Sequence, residues 1–183
     1  MRKLAKLCLG FGLWWLSATL AHAHLVSAGQ GFVNVLDDQI VMLIGVPIGV
    51  LKDVDENNDG FLQPEEIKKH QQRIMAQLGE GFHLELGGVT GEVIHQELMV
   101  SVHVDDNKST NQVEWGRRLS FPGAGKSKAP IRISMSWYDP SKDAKAQQAY
   151  AIQVKRSEEV ESALLTASQP EHVFLANPAT SPR

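Results

Sequence analysis

Oxygen-bearing side chains recur through the twelve residues from Asp55 to Glu66, Asp-Glu-Asn-Asn-Asp-Gly-Phe-Leu-Gln-Pro-Glu-Glu, at positions one, three, five, nine and twelve. A hard cation such as calcium is wrapped by a flexible loop that offers roughly six to eight oxygen ligands, and this spacing can supply them. Asp55, Asn57 and Asp59 each offer a side-chain oxygen, and Phe61 offers its main-chain carbonyl. Gln63 acts directly or through a water, and Glu66 closes the shell with both carboxylate oxygens. Gly60 stands where the backbone must turn with positive φ, which only glycine does at little cost. Leu62, at position eight, is the apolar anchor of the loop to the core.

Such a loop needs rigid flanks. Pro64 suits the first turn of an outgoing helix, where its missing N–H costs nothing, and Glu65 and Glu66 sit at the positive end of that helix dipole. Ile67, Ile74 and Leu78, with Met75 beside them, form an apolar stripe that should end at Gly79. A short incoming helix is expected over Pro47 to Val54, weakened by Gly49. Elsewhere the period is two. Leu25 to Leu36 and Gln39 to Val46 read as a hairpin turned by Asp37-Asp38. In the next run, Ile94, Gln96, Leu98, Val100, Val102 and Val104 share one face, with His95, Glu97, Met99, Ser101 and His103 on the other, the pattern of a half-buried strand. Val113 to Phe121, Ile131 to Trp137, Ala149 to Lys155 and His172 to Ala176 are further strands, and Glu158 to Ala167 fits either helix or strand. The expected class is α+β, mostly β: an antiparallel β-sandwich-like domain with one EF-hand helix–loop–helix inserted after the first hairpin.

The first 23 residues read differently. Arg2, Lys3 and Lys6 precede an apolar stretch from Leu7 to Leu20, and Ala21-His22-Ala23 offers the small residues of a cleavage site. Residues 1–23 are therefore expected to be a secretory signal, 24–176 a single β-rich domain carrying the loop at 55–66, and 177–183 a loose tail. The single cysteine, Cys8, falls in the signal, so the remaining 160 residues carry no disulfide. Three of the 18 basic residues go with the signal, which leaves 15 against 21 acidic ones, a net −6. That balance argues against nucleic acid or anionic membrane as partners. Ile40 to Leu51 is apolar but too short to span a bilayer and contains Pro47, so no transmembrane segment is expected in the mature chain.

In order and pattern the chain resembles the extracytoplasmic N-terminal domain of bacterial HupE/UreJ-like membrane proteins. The points of likeness are a signal ending near Ala-His, two strands, a calcium loop of the Asp55–Glu66 form, a helix, and a closing strand at His172-Val173-Phe174. The resemblance implies a periplasmic or secreted setting and a membrane or envelope protein as candidate partner. The family's membrane part is not expected in this chain after Leu175, and the resemblance is not taken to imply a transport activity.

Two other chemistries compete. Cleavage after Ala23 would expose His24, and an N-terminal histidine chelates copper through amine and ring. The opening His-Leu-Val-Ser is similar to that of copper-resistance carriers of the CopC type. His95 and His103 lie eight residues apart on one strand face, about 26 Å at ~3.3 Å per residue, too far to share one ion on a straight strand. Enzymatic readings find less. No Gly-x-Ser-x-Gly elbow is present, and Gly123-Ala-Gly-Lys-Ser127 lacks the spacing of a phosphate loop and reads as a hairpin loop with Lys126 and Lys128 solvated. Arg117 and Arg118 should point to opposite faces of their strand, and Trp115 and Trp137 should be core residues. The expectation is therefore a calcium-binding interaction module and not an enzyme, with calcium as its cofactor held mainly for structure. A copper-binding protein using His24 and an accessory subunit of a membrane metal transporter are the alternatives.

Overall fold

The computed structural model describes residues 26–99, 111–138 and 149–176. The expected signal and tail, with His24 and His103, lie outside them. Among the described residues the order is β1 (Gln30–Val35), β2 (Gln39–Pro47), α1 (Pro64–Glu80), β3 (Phe82–Leu86), β4 (Val89–Thr90), β5 (Glu92–Met99), β6 (Gln112–Ser120), β7 (Ile131–Met135), β8 (Tyr150–Arg156), β9 (Glu159–Leu165) and β10 (Glu171–Phe174). The described residues are mostly β with one α-helix, as the alternation of the sequence implies.

Strands β5-β6-β2-β1-β8-β9 form one sheet and β10-β7-β3-β4 the other. Strand β8 alternates buried and exposed residues along its whole length, and its inward set is Tyr150, Ile152, Val154 and Arg156. The inner faces of both sheets share one core. At its centre Phe82 of β3 meets Trp115 of β6 edge-on, with ring centroids 5.8 Å apart, and Trp137 lies 5.5 Å from Trp115. Both tryptophans are buried, as their spacing in the strands suggests. Edge-to-face contacts of this kind add to the burial of such large rings.

Several expectations need correction. Pairing is not wholly antiparallel: β1 and β8 run parallel, with Val33 beside Val154. A parallel pair needs a long crossover, and here more than a hundred residues separate the two strands, passing through the second sheet on the way. Strand β5 is not half-buried. It forms a sheet edge with a register shift between Val93 and His95, and Glu92 to Glu97 are exposed on both faces. Only Leu98, opposite Trp115, and Met99 are partly covered. The segment 159–165 is strand. The loop around Gly123 is not a hairpin loop, because it joins β6 of one sheet to β7 of the other through a 3-10 turn at Ala124–Lys126. Lys126 and Lys128 are exposed there. The hairpin β3–β4, turned at Gly87-Gly88, has no counterpart in the expected elements.

Two corrections bear on the loop. The segment after β2 makes a single 3-10 turn at Ile48–Val50 and then runs irregularly to Asp55, so there is no incoming α-helix. Gly49 in the middle of so short a stretch, and a proline before it, leave too few helix-forming residues to nucleate one. At the other end α1 runs through Gly79 and stops at Gly81. A Cβ at Gly81 would stand 2.1 Å from Trp137 Nε1, so the glycine needed here is the one against which the indole packs.

Candidate metal centre

The loop from Asp55 to Glu66 is ordered by its own backbone amides, each donating to an acidic or amide side chain of the set named above. Gly60 N donates to Asp55 Oδ2 at 2.9 Å, Asp59 N to Asn57 Oδ1 at 3.0 Å, and Phe61 N to Asp59 Oδ1 at 2.8 Å. Asn57 Nδ2 donates to Asp59 Oδ2 at 2.9 Å, which fixes the orientation of the amide. Asn58 and Gly60 take positive φ, 56° and 83°, and give the loop its tight turns. Asparagine and glycine are the residues that tolerate that region best. Leu62 is fully buried and anchors the second half of the loop to the core.

Glu66 closes the loop. It is buried, at 8% exposure, in the first turn of α1. Its Oε1 accepts from Glu56 N and its Oε2 from Gln63 N, both at 2.8 Å. One carboxylate thus ties the second residue of the loop to the helix start, where the dipole also favours negative charge.

One atom breaks the pattern. Asp55 Oδ1 is buried and has no hydrogen-bond partner. A buried acceptor left without a partner carries an uncompensated desolvation cost, and such atoms call for an explanation. A cation supplies one. Carboxylate oxygens already bonded to one amide keep a second lone pair, so Asp55, Asp59 and Glu66 can serve both roles. Among the described residues no three His, Cys, Asp or Glu side chains gather as a ready metal cluster. The donor set here is mixed, with Asn57 and the Phe61 carbonyl among its oxygens, and Glu66 is turned to two amides. Beside the loop a cleft of about 710 Å³, lined by Asp53, Asp55, Glu56, Asn58, Gly60 and Asn111 among others, opens to solvent.

The structure also brings in residues that the spacing of the loop did not single out. Running forward along α1 from Glu66, the side chains at 70, 73 and 77 hold the segment that enters the loop. His70 Nε2 meets Glu56 Oε1 at 2.8 Å, and Lys69 reaches the same oxygen. Arg73 Nη1 donates to Asp53 O at 2.8 Å. Gln77 makes a two-point pair with the backbone of Lys52: it accepts from Lys52 N at 2.8 Å and donates to Lys52 O at 2.9 Å. The bonds from Lys69 and then His70 draw the Glu56 carboxyl below its ordinary value. The signal was present in the sequence as a second, polar stripe at spacings of four, three and four beside the apolar one.

The remaining candidates do not assemble. His95 is exposed on the edge strand, 3.8 Å from Glu97. Arg117 lies over the Trp115 ring at 5.2 Å, and burial lowers its pKa, while Arg118 is exposed on the opposite face. Among the described residues no helix is long and apolar enough to cross a membrane. No protein-family model matches the chain, and no curated protein matches it.

Proposed function

We propose that this protein is an exported calcium-binding module in which the loop from Asp55 to Glu66 acts as a structural clamp. The observation that carries the reading is the buried, unpartnered Asp55 Oδ1, inside a loop where Asp55 Oδ2, Asp59 Oδ1 and both Glu66 oxygens are aligned by backbone amides. Asp55, Asn57, Asp59 and Glu66 would hold the ion by side-chain oxygens, Phe61 by its carbonyl, and Gln63 directly or through water. Bound calcium supplies charge compensation and cross-linking, with no reaction attached to it. The loop is of the EF-hand type in its outgoing half only. A lone loop packed beside a sheet suits a fixed clamp better than the paired, opening arrangement of a sensor.

The setting we propose is extracytoplasmic, periplasmic or secreted, on the basis of the basic-then-apolar leader and the likeness to the N-terminal domain of HupE/UreJ-like proteins. Millimolar calcium outside cells matches the range of about 10⁻⁴ to 10⁻³ M typical of such sites. Calorimetric titration of the mature protein with calcium tests the reading. One ion should bind in that range, and Asp55→Ala should abolish the binding. A flat titration of the unaltered protein at millimolar calcium would sink the proposal.

A further inference from the structure

We propose that His70, Arg73 and Gln77 are positioning residues for calcium, and that this stripe of α1 replaces the incoming helix that such a loop ordinarily has. The inference rests on the calcium reading above and adds how the site is held in register. The entering segment from Lys52 to Glu56 has no regular secondary structure, so its own backbone cannot set the position of Asp55. Four α1 side chains do so instead.

Their order is regular. Gln77 holds Lys52, Arg73 holds Asp53, and His70 and Glu66 both hold Glu56. The segment therefore runs antiparallel to the helix, one contact per turn. The eleven steps from Glu66 to Gln77 cover about 16 Å of helix at ~1.5 Å each. The four steps from Lys52 to Glu56 cover about 13 Å if extended. The extended figure is an upper bound for this segment, and the long Arg73, Gln77 and Glu66 side chains span the remaining difference. Asp53 takes a positive φ of 55° within this stretch, a conformation uncommon outside glycine, and its carbonyl is the one that Arg73 holds. On the opposite side Val54 is buried among core residues, so the segment is fixed from both faces.

This arrangement has a functional consequence. In a paired, switching loop the ion moves a helix, and part of its binding energy is spent on that motion. Here the segment already lies against α1, and Glu66 belongs to both the ladder and the ligand set. Occupancy should then tighten the rungs without opening a groove. By linkage, whatever the ladder adds to calcium affinity, calcium must return to the closure of the ladder.

The test uses the mature protein and calcium ion alone. Arg73→Ala combined with Gln77→Ala removes three rung bonds without touching a ligand. Calorimetry should show calcium bound roughly tenfold more weakly. Arg73→Lys combined with Gln77→Ala, which keeps a donor for Asp53 O, should lose less affinity than the double alanine variant. Lys68→Ala, on an exposed part of the helix, should leave affinity unchanged. Circular dichroism verifies that each variant is folded. In the unaltered protein, the Lys52 amide should exchange with solvent several-fold more slowly when calcium is added, and more so than in the double variant, where its acceptor on Gln77 is gone. If the unaltered protein binds calcium and the double variant binds it equally well, the ladder inference is overturned while the clamp stands. If the unaltered protein binds no calcium, both fall.

Discussion

Removing the Glu66 carboxylate should weaken the protein even when no calcium is present. This side chain accepts two backbone hydrogen bonds, from Glu56 N and Gln63 N, each 2.8 Å long. Hydrogen bonds to a charged group contribute about 1.5–3 kcal/mol each. Glu66→Ala also leaves the Gln63 amide at the helix start without its cap, and shortens a buried side chain. Part of the loss will be recovered, because the Glu56 side of the loop is exposed and water can reach its amide. The net cost should be about 3 kcal/mol. Glu66→Gln keeps one good acceptor and turns an amino group towards the other donor, so its cost should be about half as large, on the same basis. Urea unfolding in excess chelator measures both, with the shift read as a change in midpoint at constant slope. A Glu66→Ala variant within about 0.5 kcal/mol of the parent, the range of ordinary surface changes, would show that the loop is not tied to α1 in the way described.

Two further perturbations probe other parts of the fold. Gly81→Ala should cost about 1–3 kcal/mol by thermal unfolding, because its Cβ would stand 2.1 Å from the buried Trp137 indole nitrogen, which must shift. At the edge where β9 meets β10, Glu161 accepts from His172 Nε2 at 2.8 Å and from Leu175 N. Burial pushes its carboxyl up, but the bonds from His172 and Leu175 and the charge of the ring outweigh this, and its pKa lies below the ordinary 4.5. A carboxyl depressed in the folded state contributes stability that is complete above the unfolded value and lost as pH falls through the folded one. Glu161→Gln should therefore cost about 1 kcal/mol at pH 7, a figure kept small by solvent screening. The gap between the two proteins should narrow as pH falls below the ordinary carboxyl value of 4.5, in unfolding curves taken across pH. A gap that persists unchanged at pH 3 would remove this carboxylate as its source.

Much of the architecture was legible in the sequence because it rests on local rules. Alternation marked β1, β7 and β8, where one face is buried and the period holds, although β1 begins five residues later than expected. Strands β2 and β6 were legible as apolar strand runs that are buried on both faces over part of their length. The outgoing helix was marked by Pro64, the two glutamates and the apolar stripe. What escaped depends on contacts distant in sequence. Gly79 and Gly81 look equally able to end a helix, and the choice is made by Trp137, more than fifty residues later. The edge position of β5 follows from which strands pair with β6, and nothing in its own alternation encodes that. The incoming helix was expected because such a loop needs a rigid flank on each side. The side chains of His70, Arg73 and Gln77 do its work from the other side of the loop. Their role was hidden because a polar helical stripe normally means a solvated face.

The central claim is that calcium stabilises this fold by binding the loop from Asp55 to Glu66, and thermal unfolding with calcium against chelator tests it most directly. At a calcium concentration about 100 times the dissociation constant, selective binding to the native state contributes about 2.7 kcal/mol. For a domain of this size each kcal/mol moves the midpoint by about 2–4 °C, so the melting temperature should rise by about 5–11 °C. In Asp55→Ala the rise should vanish. A melting temperature indifferent to chelator, or a calcium-dependent rise that survives Asp55→Ala undiminished, would contradict the account.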